Sequence, residues 1–183
     1  MIDITYLNQI KQKFYFKFNF CFSFINYVIQ VKLSHMIFYE KSNATTELPN
    51  LAKLSAKTKN MYVKLFTGNA ITQAQSKNLA DAICNDLGVP CCPVDFAGVQ
   101  RHSKSNGRIR SKTLGDYHPT TTKIRLFQLT AAQKKTVANK TMLNTLLHEL
   151  CHHFDYKLLS FYSSKHTKGF YMRIISLHKA LLA

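Results

Sequence analysis

The chain has 183 residues, 25 Lys+Arg against 9 Asp+Glu, and a formal net charge of +16. That length fits one domain, or one domain with an arm; the 46% hydrophobic content suffices for a packed core and excludes wholesale disorder, while six Gly and four Pro exclude collagen-like and Pro/Gly low-complexity chains. The five cysteines (Cys21, Cys84, Cys91, Cys92, Cys151) form no paired CxxC sets, which argues against a disulfide scaffold or a four-cysteine zinc ribbon and for reduced thiols in the cytoplasm.

Residues 1–48 read as an N-terminal extension. Phe14, Phe16, Phe18, Phe20, Phe22 and Phe24 alternate with Tyr15, Lys17, Asn19, Cys21, Ser23 and Ile25, a period of two that suggests a strand. A signal peptide or membrane anchor is the competing reading, but Lys17, Asn19, Asn26 and Gln30 interrupt the apolar run and no small-residue cleavage site follows. A third reading starts the natural chain at Met36 and makes the preceding residues a leader. The segment 49–68 carries Lys53, Lys57, Lys59 and Lys64 with no acid and reads as a basic linker, with a short helix at its end.

The remaining residues, 69–183, read as one domain. Ile71, Leu79, Ala82, Ile83 and Leu87 recur at helical spacing, so a helix is expected over 69–87 with Gly88 as its stop. Pro90 and Pro93 forbid helix, and 94–99 reads as a strand. Residues 100–111 read as a polar loop, followed by strands near 112–117 and 123–129 joined by the turn His118-Pro119-Thr120-Thr121. Helices are expected from about 140 to 159 and from about 167 to 182. The order, helix then three strands then two helices, is an α+β arrangement with an antiparallel sheet.

The helix over 140–159 contains His148-Glu149-Leu150-Cys151-His152, an HExxH pattern. Two histidines four apart sit on one face of a helix, so both imidazoles can reach a single Zn²⁺. Glu149 is rotated by about 100° from His148, beside the ligands, where it can act as a general base toward a water acidified by the metal. Met142, Leu143, Leu146, Leu147, Leu150, Cys151, Phe154 and Leu158 fill one half of the helical wheel, and His148, His152, Asp155, Thr145 and Glu149 the other. One half can bury in a core while the other lines a cleft.

A catalytic zinc needs a third protein ligand and one open position. No Glu occurs from 150 to 183, and Asp155 and Leu158 stand where an HExxHxxGxxH pattern has Gly and His. His153 points about 100° away from His152 on the helix, and His178 lies deep in the last helix. His166, after a loop that can reverse the chain, is the preferred third ligand; Asp155 is the alternative, although a carboxylate one turn past a ligand more often orients than coordinates.

The stretch HELCHHFDY, a short loop and HTKGFYMRI resemble the SprT-like zinc metallopeptidases, a minimal zincin family. His166 and Phe170 match a His-x-x-x-Phe segment that opens the final helix in that family. The resemblance covers about 69–182. It implies a zincin-like fold, His148, His152 and His166 as zinc ligands, Glu149 as catalytic base, and a protein or peptide substrate. It also implies an edge strand that pairs with the substrate, for which 123–129 or 94–99 are the candidates. Tyr156, Tyr162, Tyr171 and Arg173 are candidates for an oxyanion donor.

Residues 101–140 hold ten Lys/Arg and one acid, Asp116. This basic stretch suggests non-specific DNA or RNA binding through phosphates. The rival to a peptidase is thus a nucleic-acid-binding protein with a structural or non-catalytic zinc.

Overall fold

In the computed structural model of the chain the residues described are 36–106, 108–162 and 166–183. The expected strand at 14–25, and the leader and anchor readings, lie outside them. Among the described residues no helix is long and apolar enough to cross a membrane. The chain separates into two units, 1–40 and 41–183, and the description below concerns the second. Its boundary falls before the expected one at 48/49, because Ser42 and Leu48 are already buried within it.

The architecture is α+β. Residues 36–44 are helical (α1). Helix α2 (Ala56–Thr67) begins where Ser55 accepts a hydrogen bond from the Thr58 amide. This corrects the reading of 49–68 as a linker. Leu54, Thr58, Tyr62 and Leu65 recur at helical spacing and are buried, while Lys53, Lys57 and Lys64 face solvent. The lysines that suggested a solvated connector are therefore one side of an amphipathic helix. The Tyr62 hydroxyl lies 2.6 Å from His178 Nδ1, pinning α2 to the last helix.

Helix α3 (Gln73–Leu87) starts four residues later than expected, at a capping box in which Thr72 and Gln75 bond each other's backbone amides. Gly88 ends it at φ 72, the left-handed conformation that glycine adopts without Cβ strain. Strand β1 (Val94–Phe96) follows. Strands β2 (Arg101–Ser105) and β3 (Arg108–Thr113) form an antiparallel hairpin where a polar loop was expected. The hairpin has little apolar alternation to betray it; its signal is Asn106-Gly107, with Asn106 at φ 51.

Strands β4 (Gly115–His118) and β5 (Lys123–Leu126) complete a second sheet. Its order is β1-β5-β4. β4 runs antiparallel to β5 and β1 parallel to it, so the sheet is mixed, not antiparallel. The crossover 97–114 carries the chain through the hairpin to β4 at the far edge, and the turn after β4 reverses it into β5, which lies between β4 and β1 and runs parallel to β1. β5 is central, which removes 123–129 as a substrate-pairing edge. β1 is an edge, but it packs on α3, with Gln73 Oε1 accepting from the Phe96 amide. The edge beside the HExxH helix is β4.

Helix α4 (Asn139–Lys157) crosses this sheet, and α5 (Lys168–Leu182) packs against α2 and α4. Their shared core contains Tyr62 and Leu65 of α2, Leu79 and Ile83 of α3, Ile124 and Leu126 of β5, Leu143, Leu146, Leu150 and Phe154 of α4, and Leu177 of α5. Each such side chain contributes about 1.5–3 kcal/mol of burial free energy. Asn139 at the start of α4 donates its side-chain amide to the Leu65 and Gly68 carbonyls, tying α4 to the end of α2.

One polar cluster is buried among these contacts. Arg173 of α5 is fully buried and donates from Nε and Nη2 to the two oxygens of Asp155, at 3.0 and 2.9 Å. Its remaining donors reach the Ser42 and Thr45 carbonyls and the Ser42 hydroxyl. Five guanidinium N–H groups thus meet five acceptors. Gly169 lets the 42–45 segment approach, since a Cβ there would sit 2.2 Å from the Ser42 carbonyl oxygen. Replacing Arg173 with Met leaves the Asp155 carboxylate buried without its cation. Urea denaturation of Arg173→Met should show a loss of about 3–5 kcal/mol; an unchanged midpoint would contradict this account.

Candidate metal centre

Helical geometry brings His148 and His152 to one face of α4, with ring centroids 5.0 Å apart. His166 enters from the other side, immediately before Thr167, the N-cap of α5. The Thr167 hydroxyl accepts from the Phe170 amide and contacts the Ser42 hydroxyl at 3.2 Å, which fixes the backbone from which His166 projects. His166 Nε2 lies 3.0 Å from His148 Nε2 and 3.0 Å from His152 Nε2. Phe170 forms an aromatic floor, with its ring centroid 4.5 Å from that of His152 and 5.1 Å from those of His148 and His166.

Of the two third-ligand candidates, the fold brings His166 to the pair. Asp155 is buried and spends both oxygens on Arg173. It and Glu149 are on the wheel's polar half yet both are buried, because β4 and α5 cover that half. His153 faces away, with Nε2 2.8 Å from the Pro90 carbonyl oxygen and Nδ1 3.1 Å from the Tyr117 hydroxyl. His178 is engaged by Tyr62. Among the proposed oxyanion donors, Tyr156 lines the cleft and Tyr171 flanks the His166 ring, whereas Arg173 is sealed in the interior.

The donor set fits a divalent cation. A neutral imidazole carries one N–H, so three Nε2 atoms aimed at one point cannot all satisfy one another. A tetrahedral ion with Zn–N bonds of about 2.0–2.1 Å sets its nitrogens about 3.3 Å apart, close to the spacing seen here. Burial, followed by the neighbouring His166, pushes His148 down to about 4. Burial and then His148 and His166 push His152 down to about 3. Both rings are therefore neutral near pH 7, the protonation state in which imidazole ligates a cation. Burial, with the charge of Asp116 adding, drives the Glu149 carboxyl up to about 8. A cation at the imidazoles would favour its ionised form.

The cleft extends on both sides of the imidazoles. One part, about 550 Å³, is walled by residues 112–115 and by Thr141, Asn144, Thr145, His148 and Glu149. The other, about 310 Å³, continues along Asp116, Tyr117 and Pro119 to Tyr156. The wall opposite α4 is thus the end of β3 and residues 115–117 of β4. Asp116 is held there by Arg125, with Nε–Oδ1 2.8 Å and Nη2–Oδ2 2.9 Å. This wall was missed in the sequence because 112–117 looked like one ordinary strand.

Gly115 sets the distance between wall and helix. A Cβ at this position would lie 2.7 Å from Thr145 Cγ2 and 3.1 Å from Glu149 Cγ. Gly115→Ala should push β4 off α4 and cost about 1–3 kcal/mol. Thermal denaturation of the variant checks this, and a melting curve that overlays the wild type would refute the close approach.

No protein-family model, curated protein or solved structure matches this chain.

Proposed function

We propose that this protein is a zinc-dependent metallopeptidase of the SprT-like, minimal zincin kind, hydrolysing peptide bonds in protein substrates. The observation that carries the reading is the convergence of three imidazole Nε2 atoms beside a buried glutamate in an open-ended cleft. In it, His148, His152 and His166 hold one zinc ion. When bound there, zinc supplies a Lewis acid that acidifies water and polarises a carbonyl. The pairing of the HExxH helix with a His-bearing segment that opens the last helix supports the family reading.

The chain's own groups supply the rest. Glu149 borders both parts of the cleft, so its carboxylate is placed to take a proton from the attacking water and return it to the leaving amine nitrogen. β4 is an edge of its sheet, and its free backbone edge offers an extended substrate main-chain hydrogen bonds. Side chains of such a substrate alternate between the cleft and solvent, so recognition through β4 is weakly selective for sequence. Tyr156 stands at the cleft wall as an oxyanion donor.

Glu149→Gln keeps the shape and the three imidazoles but removes the proton acceptor. Hydrolysis of an unfolded fluorescent protein substrate should fall about 10²–10⁴-fold, with bound zinc unchanged by elemental analysis. Full activity in that variant would defeat the mechanism. It would leave the rival reading, a nucleic-acid-binding protein with a non-catalytic zinc, in which Glu149 is dispensable.

A second reading concerns recruitment. The hairpin β2–β3 carries Arg101, Lys104, Arg108, Arg110 and Lys112 in its sequence, and Lys112 reaches the cleft wall. We propose that it attracts nucleic acid to the mouth of the cleft through phosphate contacts. Affinity for a random-sequence duplex should drop steeply as salt is raised; affinity that stays level from low to moderate salt would remove the polyanion role.

A further inference from the structure

A second convergence of metal-ligating atoms lies behind α4, on the side away from the imidazole cleft. Cys84, Cys92 and His153 are buried, and one ligand atom from each lies within 4.8 Å of the others. We propose that these three residues form a second metal site, a buried two-thiolate, one-imidazole centre for zinc that joins α3, the 88–93 loop and α4.

The ring of His153 is already arranged for this. Its Nε2 is 2.8 Å from the Pro90 carbonyl oxygen, which only accepts, so Nε2 carries the proton and Nδ1 the lone pair. Metal-binding histidines characteristically hold their other ring N–H to a backbone carbonyl or carboxylate in this way. Pro90 lies two residues before Cys92, so one short loop provides a ligand and also sets the tautomer of another. The loop reverses on Gly88, whose left-handed turn lets the Val89 amide bond back to the Cys84 carbonyl at 2.8 Å. That reversal brings Cys92 over the last turn of α3, beside Cys84.

The spacing and the charge both suit zinc. Zn–S bonds near 2.3 Å and Zn–N bonds near 2.0–2.1 Å set the tetrahedral sulfur and nitrogen atoms of such a site about 3.6–3.8 Å apart, within the span found here. Binding releases the Cys84 and Cys92 thiol protons to solvent. Two thiolates, one neutral imidazole and Zn²⁺ then sum to zero, the net charge that a dry interior tolerates best. Without metal, the Tyr117 hydroxyl, 3.1 Å from His153 Nδ1, contacts the lone pair that zinc would take. The site shares no ligand with the His148, His152 and His166 centre and does not rest on the peptidase reading.

Cobalt(II) titration of the full chain tests the proposal, because the imidazole centre contains no sulfur. The wild type should develop a thiolate-to-cobalt charge-transfer band and bind about two equivalents of metal at saturation. Cys84→Ser and Cys92→Ser should each abolish the band and leave about one equivalent. Cys91→Ser, at the exposed neighbouring thiol, and Cys21→Ser should leave band and stoichiometry intact. His148→Ala/His152→Ala should keep the band while losing the other equivalent, so failure of either centre is seen separately. A wild type with no band overturns the proposal without any substitution, as does a band that survives Cys92→Ser. A Cys84–Cys92 disulfide in peptide maps of the chain purified without reductant would overturn it too.

Discussion

The buried contact between Asp155 and Arg173 is the constraint on which the cleft depends. Asp155 lies three residues beyond His152 on α4, and Arg173 seven residues beyond His166 on α5. Their bidentate pairing therefore fixes the two helices that carry the imidazoles against each other. A charged pair of this kind is expensive to bury. Here the cost is offset by complete hydrogen bonding, since the guanidinium also satisfies the Ser42 and Thr45 carbonyls and the Ser42 hydroxyl. The same contacts draw the 42–45 segment over the start of α5, where Gly169 leaves room for it. The position of His166 is thus set by packing remote from its own ring.

Helix α4 organises the molecule because its sides have different tasks. Leu143, Leu146, Leu147, Leu150 and Phe154 bury in the core. His148 and His152 face the cleft with Glu149 beside them. Asp155 turns to α5, and His153 turns to the loop after α3. A nineteen-residue helix makes these assignments by rotation alone, about 100° per residue. The burial of Glu149 follows from the close approach of β4 at Gly115. A wider separation would admit water and let the carboxyl return toward its ordinary range. The stiffness of the sheet behind β4 thereby becomes part of the electrostatics of the cleft.

Much of the α+β organisation and of the candidate site was legible along the chain. HExxH is a local pattern, and a helix converts a spacing of four into adjacency without help from the rest of the protein. His166 was legible because few nitrogen donors follow His152. The misread segments share a different property. Residues 49–68 looked like a linker because their four lysines have no acid among them, and only the partner surfaces of α3 and α5 reveal which face is buried. Residues 100–111 looked like a loop because the hairpin has few apolar positions to repeat. The sheet was expected to be antiparallel because consecutive short strands usually are, yet the crossover 97–114 leads past the position beside β1 to the far edge, and the β4–β5 turn then brings β5 back between them, parallel to β1.

The sequence by itself determined the local elements of chemistry: a helix with two imidazoles and a carboxylate at helical spacing, a third imidazole just before a capped helix, and a strongly basic chain. Only the tertiary structure decided that His166 and not Asp155 meets the imidazole pair, that β4 and not β5 borders the cleft, and that Cys84, Cys92 and His153 come together. The physical reason is range. Helix periodicity and capping act over a few residues, whereas strand order, a buried ion pair and the meeting of residues 84 and 153 are settled by which surfaces exclude water together.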